Sequence, residues 1–106
     1  MRRPIARRMV GALLLVLVTS SARAETIQIK IEKLTFVPSQ VSAHVGDTIE
    51  WVNADFVAHT ASARDRAWDV MIAPSTTASF VLKADGTVDY YCKFHPNMIG
   101  QITIAK

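Results

Sequence analysis

Apolar residues recur at every second position along most of this chain, and nowhere at helical spacing. In TIQIKIEK, residues 26–33, Ile27, Ile29 and Ile31 share one face while Gln28, Lys30 and Glu32 share the other. That is the mark of a half-buried strand. TIEWVN puts Ile49 and Trp51 together, ASFVLK pairs Phe80 with Leu82, and QITIAK pairs Ile102 with Ile104. TVDYYC places Val88, Tyr90 and Cys92 on one face, with Asp89 and Tyr91 opposite. Turn residues separate these runs at Val37–Ser39, Val45–Asp47, Ala73–Ser75, Ala84–Gly86 and Ile99–Gly100. Thr60–Ala67, TASARDRA, is polar without a period and reads as a loop or short turn. Several short strands with regular turns predict an all-β, antiparallel β-sandwich or barrel. There is no internal repeat or linker.

The first 24 residues stand apart from this pattern. MRRPIARR carries four arginines, Met9–Val18 is a run of 10 apolar residues, and SARA ends at Ala24. A basic start, a short apolar run and an Ala-x-Ala ending predict a secretory signal peptide over residues 1–24. The run falls short of the roughly 20 residues a bilayer span takes. The domain then expected is Glu25–Lys106, 82 residues, with no membrane span after cleavage. Charge follows the same division. The whole chain has a formal charge of +3, but five of its 12 basic residues lie in the leader. The remainder holds seven basic against nine acidic residues, a formal −2. The basic balance therefore belongs to export and gives no support to nucleic-acid binding. A domain this small is marginal by size and often carries a staple. With a single cysteine, Cys92, the staple cannot be an internal disulfide.

Cys92 ends the strand-like run and is followed by His95 and Met98 in YYCKFHPNMIG. Pro96 restricts the backbone of this turn, and Gly100 lets the chain enter the last strand. The six-residue step from Cys92 to Met98 can wrap thiolate, imidazole and thioether around one point. Sulfur ligands are soft, and imidazole suits copper or zinc. A second imidazole comes from His44 or His59. His59 follows the strand Thr48–Asn53, where a loop can deliver it to the same end, whereas His44 precedes the turn at the other end. The expected metal set is His59, Cys92, His95 and Met98. Two histidines, one cysteine and a weak axial methionine describe a blue-copper electron-transfer site. Taken singly, each residue has a blander reading as core filler or surface histidine, the reading kept for Met71 and His44.

These residues resemble the cupredoxins, the plastocyanin and azurin type of blue-copper protein, and within them amicyanin and pseudoazurin-like relatives. The resemblance covers nearly all of Glu25–Lys106. It rests on Phe36 and Pro38; on Val45, Gly46, Asp47, Thr48, Ile49, Trp51 and Asn53; on Ala58, His59 and Thr60; and on Tyr90, Cys92, His95, Pro96, Met98 and Gly100. It implies an eight-stranded Greek-key sandwich and one type 1 copper ion per chain. His59, Cys92 and His95 would be the equatorial ligands and Met98 the axial one. It implies single-electron transfer in the periplasm with redox partner proteins, by a monomer. The Thr60 N–H would donate to the Cys92 sulfur, and Asn53 would either tie the His59 loop or simply form a turn. Pro96, Ile99, Phe56, Val57 and Pro74 are expected to form an apolar patch around His95. Lys93, Arg64 and Arg66 are placed to steer an acidic partner.

Rival functions remain distinguishable. A periplasmic copper carrier or chaperone would use the same site but give the metal up. A structural zinc module would close with four strong ligands. An enzyme would need a nucleophile set, a carboxylate pair or an open metal position, and none stands out. A metal-free adhesive sandwich would leave the four-residue constellation without a purpose.

Overall fold

A computed structural model describes residues 23–106. The leader assigned to residues 1–24 lies almost wholly outside the described residues. Nine strands follow in order: Thr26–Glu32 (β1), Thr35–Val37 (β2), Gln40–His44 (β3), Thr48–Asn53 (β4), His59–Ala63 (β5), Asp69–Ile72 (β6), Thr77–Val81 (β7), Gly86–Tyr91 (β8) and Ile99–Ala105 (β9). They form two sheets, ordered β2-β1-β4-β7 and β3-β9-β8-β5-β6. Nine strands among the described residues are one more than the resemblance implies. β2 has only three residues, and elements that short let the count vary. No helix is present among the described residues, and none is long and apolar enough to cross a membrane.

Alternation places the strands correctly where one face is buried. Ile29, Ile31, Ile49 and Trp51 from the first sheet face Ile72, Tyr90, Ile102 and Ile104 from the second, all within the buried core. Alternation is silent on strand direction. Most pairings are antiparallel, but β1 pairs parallel with β4, and β3 parallel with β9. The chain leaves the first sheet at β3 and returns at β4. That excursion is the crossover a parallel pair requires.

An aromatic cluster fills the middle of the core. Trp51, Trp68 and Tyr90 lie with ring centroids 5.6–5.8 Å apart, and Phe36 meets Tyr90 edge-on at 4.7 Å. The Trp51 Nε1–H points at the Tyr90 hydroxyl, 3.4 Å away, and burial pushes the Tyr90 phenol up to about 12. Gly100 pairs across the β8–β9 ladder with Tyr90. A methyl group there would overlap the Tyr90 ring. Space, rather than backbone freedom, therefore calls for glycine at this position.

Thr60–Ala67 departs most from expectation. Its first part belongs to β5, an inner strand between β8 and β6 in which all five residues are buried. Burial on both faces removes the alternation that marks a half-buried strand. The polar members, Thr60 and Ser62, are tolerated because they are hydrogen-bonded.

Candidate metal centre

Cys92 follows the end of β8, and the chain after it folds into a closed loop. The Cys92 N–H donates to the Met98 carbonyl at 3.0 Å. Inside that closure, His95 N–H donates to the Cys92 carbonyl at 3.3 Å and Met98 N–H to the His95 carbonyl at 2.8 Å. These bonds use the polar backbone of residues 92–98 internally and fix where the side chains emerge. Cys92 is fully buried and free of any disulfide.

His59 begins β5 at the same end of the sandwich and is fully buried. Its Nδ1 lies 3.7 Å from Cys92 Sγ, and the Nδ1 of half-buried His95 lies 3.8 Å from the same sulfur. The two imidazoles have centroids 5.1 Å apart. All three ligand atoms lie within 4.8 Å of one another. Met98 closes the loop, is 3 % exposed, and lines a cavity with His95, Pro96, Asn97, Phe94 and Leu34. His44 ends β3, on the far side of β4, and is exposed. The six residues of β4 separate the two ends by about 17 Å. Thus the structure brings His59, Cys92 and His95 together and keeps His44 apart.

A metal about 2.0 Å from nitrogen and about 2.3 Å from sulfur puts the two about 3.5–3.7 Å apart, from tetrahedral to trigonal angles. Separations of 3.7 and 3.8 Å put both imidazole nitrogens and the sulfur within reach of one metal ion. The residues present therefore fit an N₂S site that joins two imidazoles to one soft thiolate, the kind that suits copper.

The surroundings hold each group in place. His59 Nε2 meets Asp55 Oδ2 at 2.8 Å. A carboxylate accepts only, so Nε2 carries the proton and Nδ1 presents its lone pair toward Cys92. Asp55 also accepts the Lys33 N–H at 2.8 Å and the Leu34 N–H at 3.1 Å. Both donors have left-handed backbones, with φ of 51° and 59°. Burial pushes the Asp55 carboxyl up, but the Leu34 N–H, the His59 ring and the Lys33 N–H together hold it below the usual range. Asn53 donates to the carbonyls of Val57, Ile72 and Ala73, and its Oδ1 accepts the Asp55 N–H at 2.9 Å. Of the two roles considered for Asn53, tying the His59 loop is the one its bonds describe.

The sulfur has its own partner, the Thr60 N–H at 3.3 Å. From there a chain of hydrogen bonds runs outward, and its direction is fixed. Lys93 N–H donates to Thr60 Oγ1 at 2.9 Å. Ser62 donates its one hydroxyl hydrogen to the acceptor-only Asp69 Oδ1 at 2.7 Å, so the Thr60 hydroxyl donates to Ser62 Oγ at 2.9 Å. Lys93 Nζ pairs with the other oxygen of Asp69, closing the circuit. The Lys93 ammonium, then the Ser62 hydroxyl, hold the Asp69 carboxyl below the usual range. Asp55, Ser62 and Asp69 escaped the sequence reading, because none carries a motif. The spacing of Asp55 four residues before His59 was the one available signal.

Comparison with known proteins agrees with this picture. The sequence model of the cupredoxin-like domain matches residues 7–104. The chain is similar to amicyanin of Paracoccus versutus, 24% identical over 87 residues, covering 76% of this chain and 66% of that protein. It is similar to amicyanin-alpha of Methylorubrum extorquens, 29% identical over 89 residues, covering 78% and 75%. Among solved structures, a reduced Cu(I) form of an amicyanin mutant at pH 4 superposes with a TM-score of 0.68 at 26% identity, covering 74% of this chain and 81% of that one. With that domain model spanning nearly the whole sequence, the chain belongs to the cupredoxin-like family.

Proposed function

We propose that the protein is a small exported blue-copper protein that carries single electrons between redox partners. One observation carries the reading: two imidazole nitrogens stand 3.7 and 3.8 Å from one buried sulfur, within reach of a single metal ion. His59, Cys92 and His95 would hold the copper, with Met98 as the weak axial ligand. Bound copper supplies a one-electron Cu(I)/Cu(II) couple. The chain's residues supply the rest. Asp55 fixes the tautomer and angle of His59. The Thr60 N–H disperses charge on the Cys92 sulfur, and the closed loop from Cys92 to Met98 resists rearrangement between oxidation states. A set of two imidazoles, one thiolate and one thioether suits electron transfer.

His95 is the exposed edge of the site and the place for electrons to enter and leave. The expected patch residues Phe56, Val57, Pro74, Pro96 and Ile99 are all exposed, Phe56 at 92 %. A side chain that apolar, left almost bare one residue after the Asp55 that holds His59, suits the small interface of a transient electron-transfer encounter. The leader expected over residues 1–24 would direct the protein to the periplasm.

A copper-delivery role uses the same ligands, so the test separates the two by retention. The copper-loaded protein is cycled between oxidised and reduced forms beside a strong Cu(I) chelator. Copper kept at one per chain through repeated cycles supports electron transfer. Stoichiometric loss to the chelator on first reduction contradicts it and favours delivery.

A further inference from the structure

At the end of the sandwich remote from Cys92, Asp47 is 3 % exposed in the β3–β4 turn. Its Oδ2 accepts the His44 N–H at 2.8 Å, and its Oδ1 accepts the backbone nitrogen of Glu25, also at 2.8 Å. Glu25 is clamped from the other side, because the Thr48 N–H donates to its carbonyl at 2.9 Å. β1 starts one residue later, at Thr26, while Arg23 and Ala24 lie exposed before it. Asp47 thus holds a buried carboxylate on two neutral amides. The nearest basic side chain is the exposed His44 ring, 3.9 Å away and charged only when protonated. The two amides already favour the carboxylate, and a full positive charge on the same nitrogen would favour it further. The charged or titratable side chains lining the adjoining cavity are Arg23, Glu25, His44, Asp47 and Lys106.

We infer that the bond between Ala24 and Glu25 is the processing site and that the α-ammonium it frees on Glu25 becomes the built-in counter-ion of Asp47. This rests on the export reading and extends it: removal of the leader completes the fold as well as releasing the chain. Hydrolysis by a signal peptidase consumes one water, leaves a carboxylate on Ala24 and an amine on Glu25. That amine takes up a proton at neutral pH. It stands on an atom already in contact with Asp47 Oδ1, so a neutral amide bond becomes a charge-assisted one, roughly twice as strong. The same cut removes Arg23 from the cavity and leaves the ammonium as the nearest cation.

The experiment compares two copper-loaded chains: Glu25–Lys106 with a free amine, and the same chain retaining Ala22-Arg23-Ala24. The strands and core lie within Thr26–Ala105, so both hold the complete fold. At pH 7 the free-amine chain is expected to melt roughly 4–8 °C higher. The folded-state pKa of the amine is raised, so its contribution is full below about pH 7.7 and is lost as pH rises through the higher folded value. His44 and Lys106 are common to both chains and cancel in the difference. The gap should vanish in the Asp47→Asn background. Equal melting temperatures, or a gap that persists in Asp47→Asn, would overturn the inference. Should Asp47→Asn fail to fold, NMR titration of Glu25 decides instead: an α-amine pKa at or below about 7.7–8.0 overturns it. Repeating both measurements on apo protein keeps the outcome separate from the fate of the copper reading. Intact mass of protein recovered from exporting cells must begin at Glu25; another start overturns the assignment of the processing site.

Discussion

Asp55 joins the metal site to the β1–β2 turn. Its oxygens accept from the His59 ring and from two strained backbone amides, so one carboxylate orients the metal-facing imidazole and holds the turn. Asp55→Asn should keep the fold but lose a negative charge beside the site. The oxidised state, with one more positive charge, then loses more than the reduced one. The reduction potential should rise by tens of millivolts, at about 59 mV per tenfold change in the redox constant. Protein-film voltammetry measures this, and an unchanged or lowered potential contradicts the assignment. Gly100→Ala tests a different single-atom demand. Its methyl must displace the buried Tyr90 ring, at a cost of about 1–3 kcal/mol in denaturant melts. The sequence showed that Gly100 mattered but suggested the wrong reason, because nothing in a one-dimensional pattern shows which ring lies across the ladder. Cys92 and His95 were legible because one tight loop, closed at Met98, brings them together. Asp55 and Ser62 were not, because they act through contacts that spacing does not encode.

β5 is the element that links the ligands. It begins with His59, offers the Thr60 N–H to the sulfur, and carries the hydroxyls that connect Lys93 to Asp69. Ser62→Ala removes the acceptor for the Thr60 hydroxyl and one donor to Asp69. Breaking a satisfied buried chain costs about 1–3 kcal/mol. We expect lower stability by that amount together with a shifted visible band, since Lys93 directly follows Cys92 and moves with it. A stability loss with an unmoved spectrum would reduce the chain to a purely structural role. The hydropathy pattern missed β2, β3, β5 and β6, and β5 shows the reason most clearly. Half-buried strands announce themselves by alternation, as β1, β4 and β9 do. An inner strand of small and hydroxyl residues, covered on both faces, has no such signature. The parallel pairings of β1 with β4 and β3 with β9 were invisible for a related reason, since direction leaves side-chain alternation unchanged.

For the molecule as a whole, the two ends of the sandwich carry different burdens. One end brings His59, Cys92 and His95 together; the other holds Asp47 and the start of the first strand. Phe56→Ala should leave melting temperature and copper spectrum unchanged, because its side chain touches little of the core, yet slow electron exchange with a partner several-fold. Stopped-flow kinetics with an acceptor protein, at low and high salt, would show it, and an unchanged rate would remove the rim from the docking account. Asp47 and Asp69 are both held below the usual carboxylate range. Groups with depressed folded pKa values stabilise above the unfolded value and lose that stabilisation as pH falls through the folded one. Apo-protein stability should therefore hold down to about pH 4 and fall below it, as read by denaturant midpoints across pH. Whether His59, Cys92, His95 and Met98 form one type 1 copper site is read from the visible spectrum of the protein titrated with Cu(II), beside Cys92→Ser. An intense blue thiolate-to-copper band is expected, saturating at one copper per chain, bleached by ascorbate and absent in the variant. A colourless wild type, or weak absorption that survives Cys92→Ser, would contradict it.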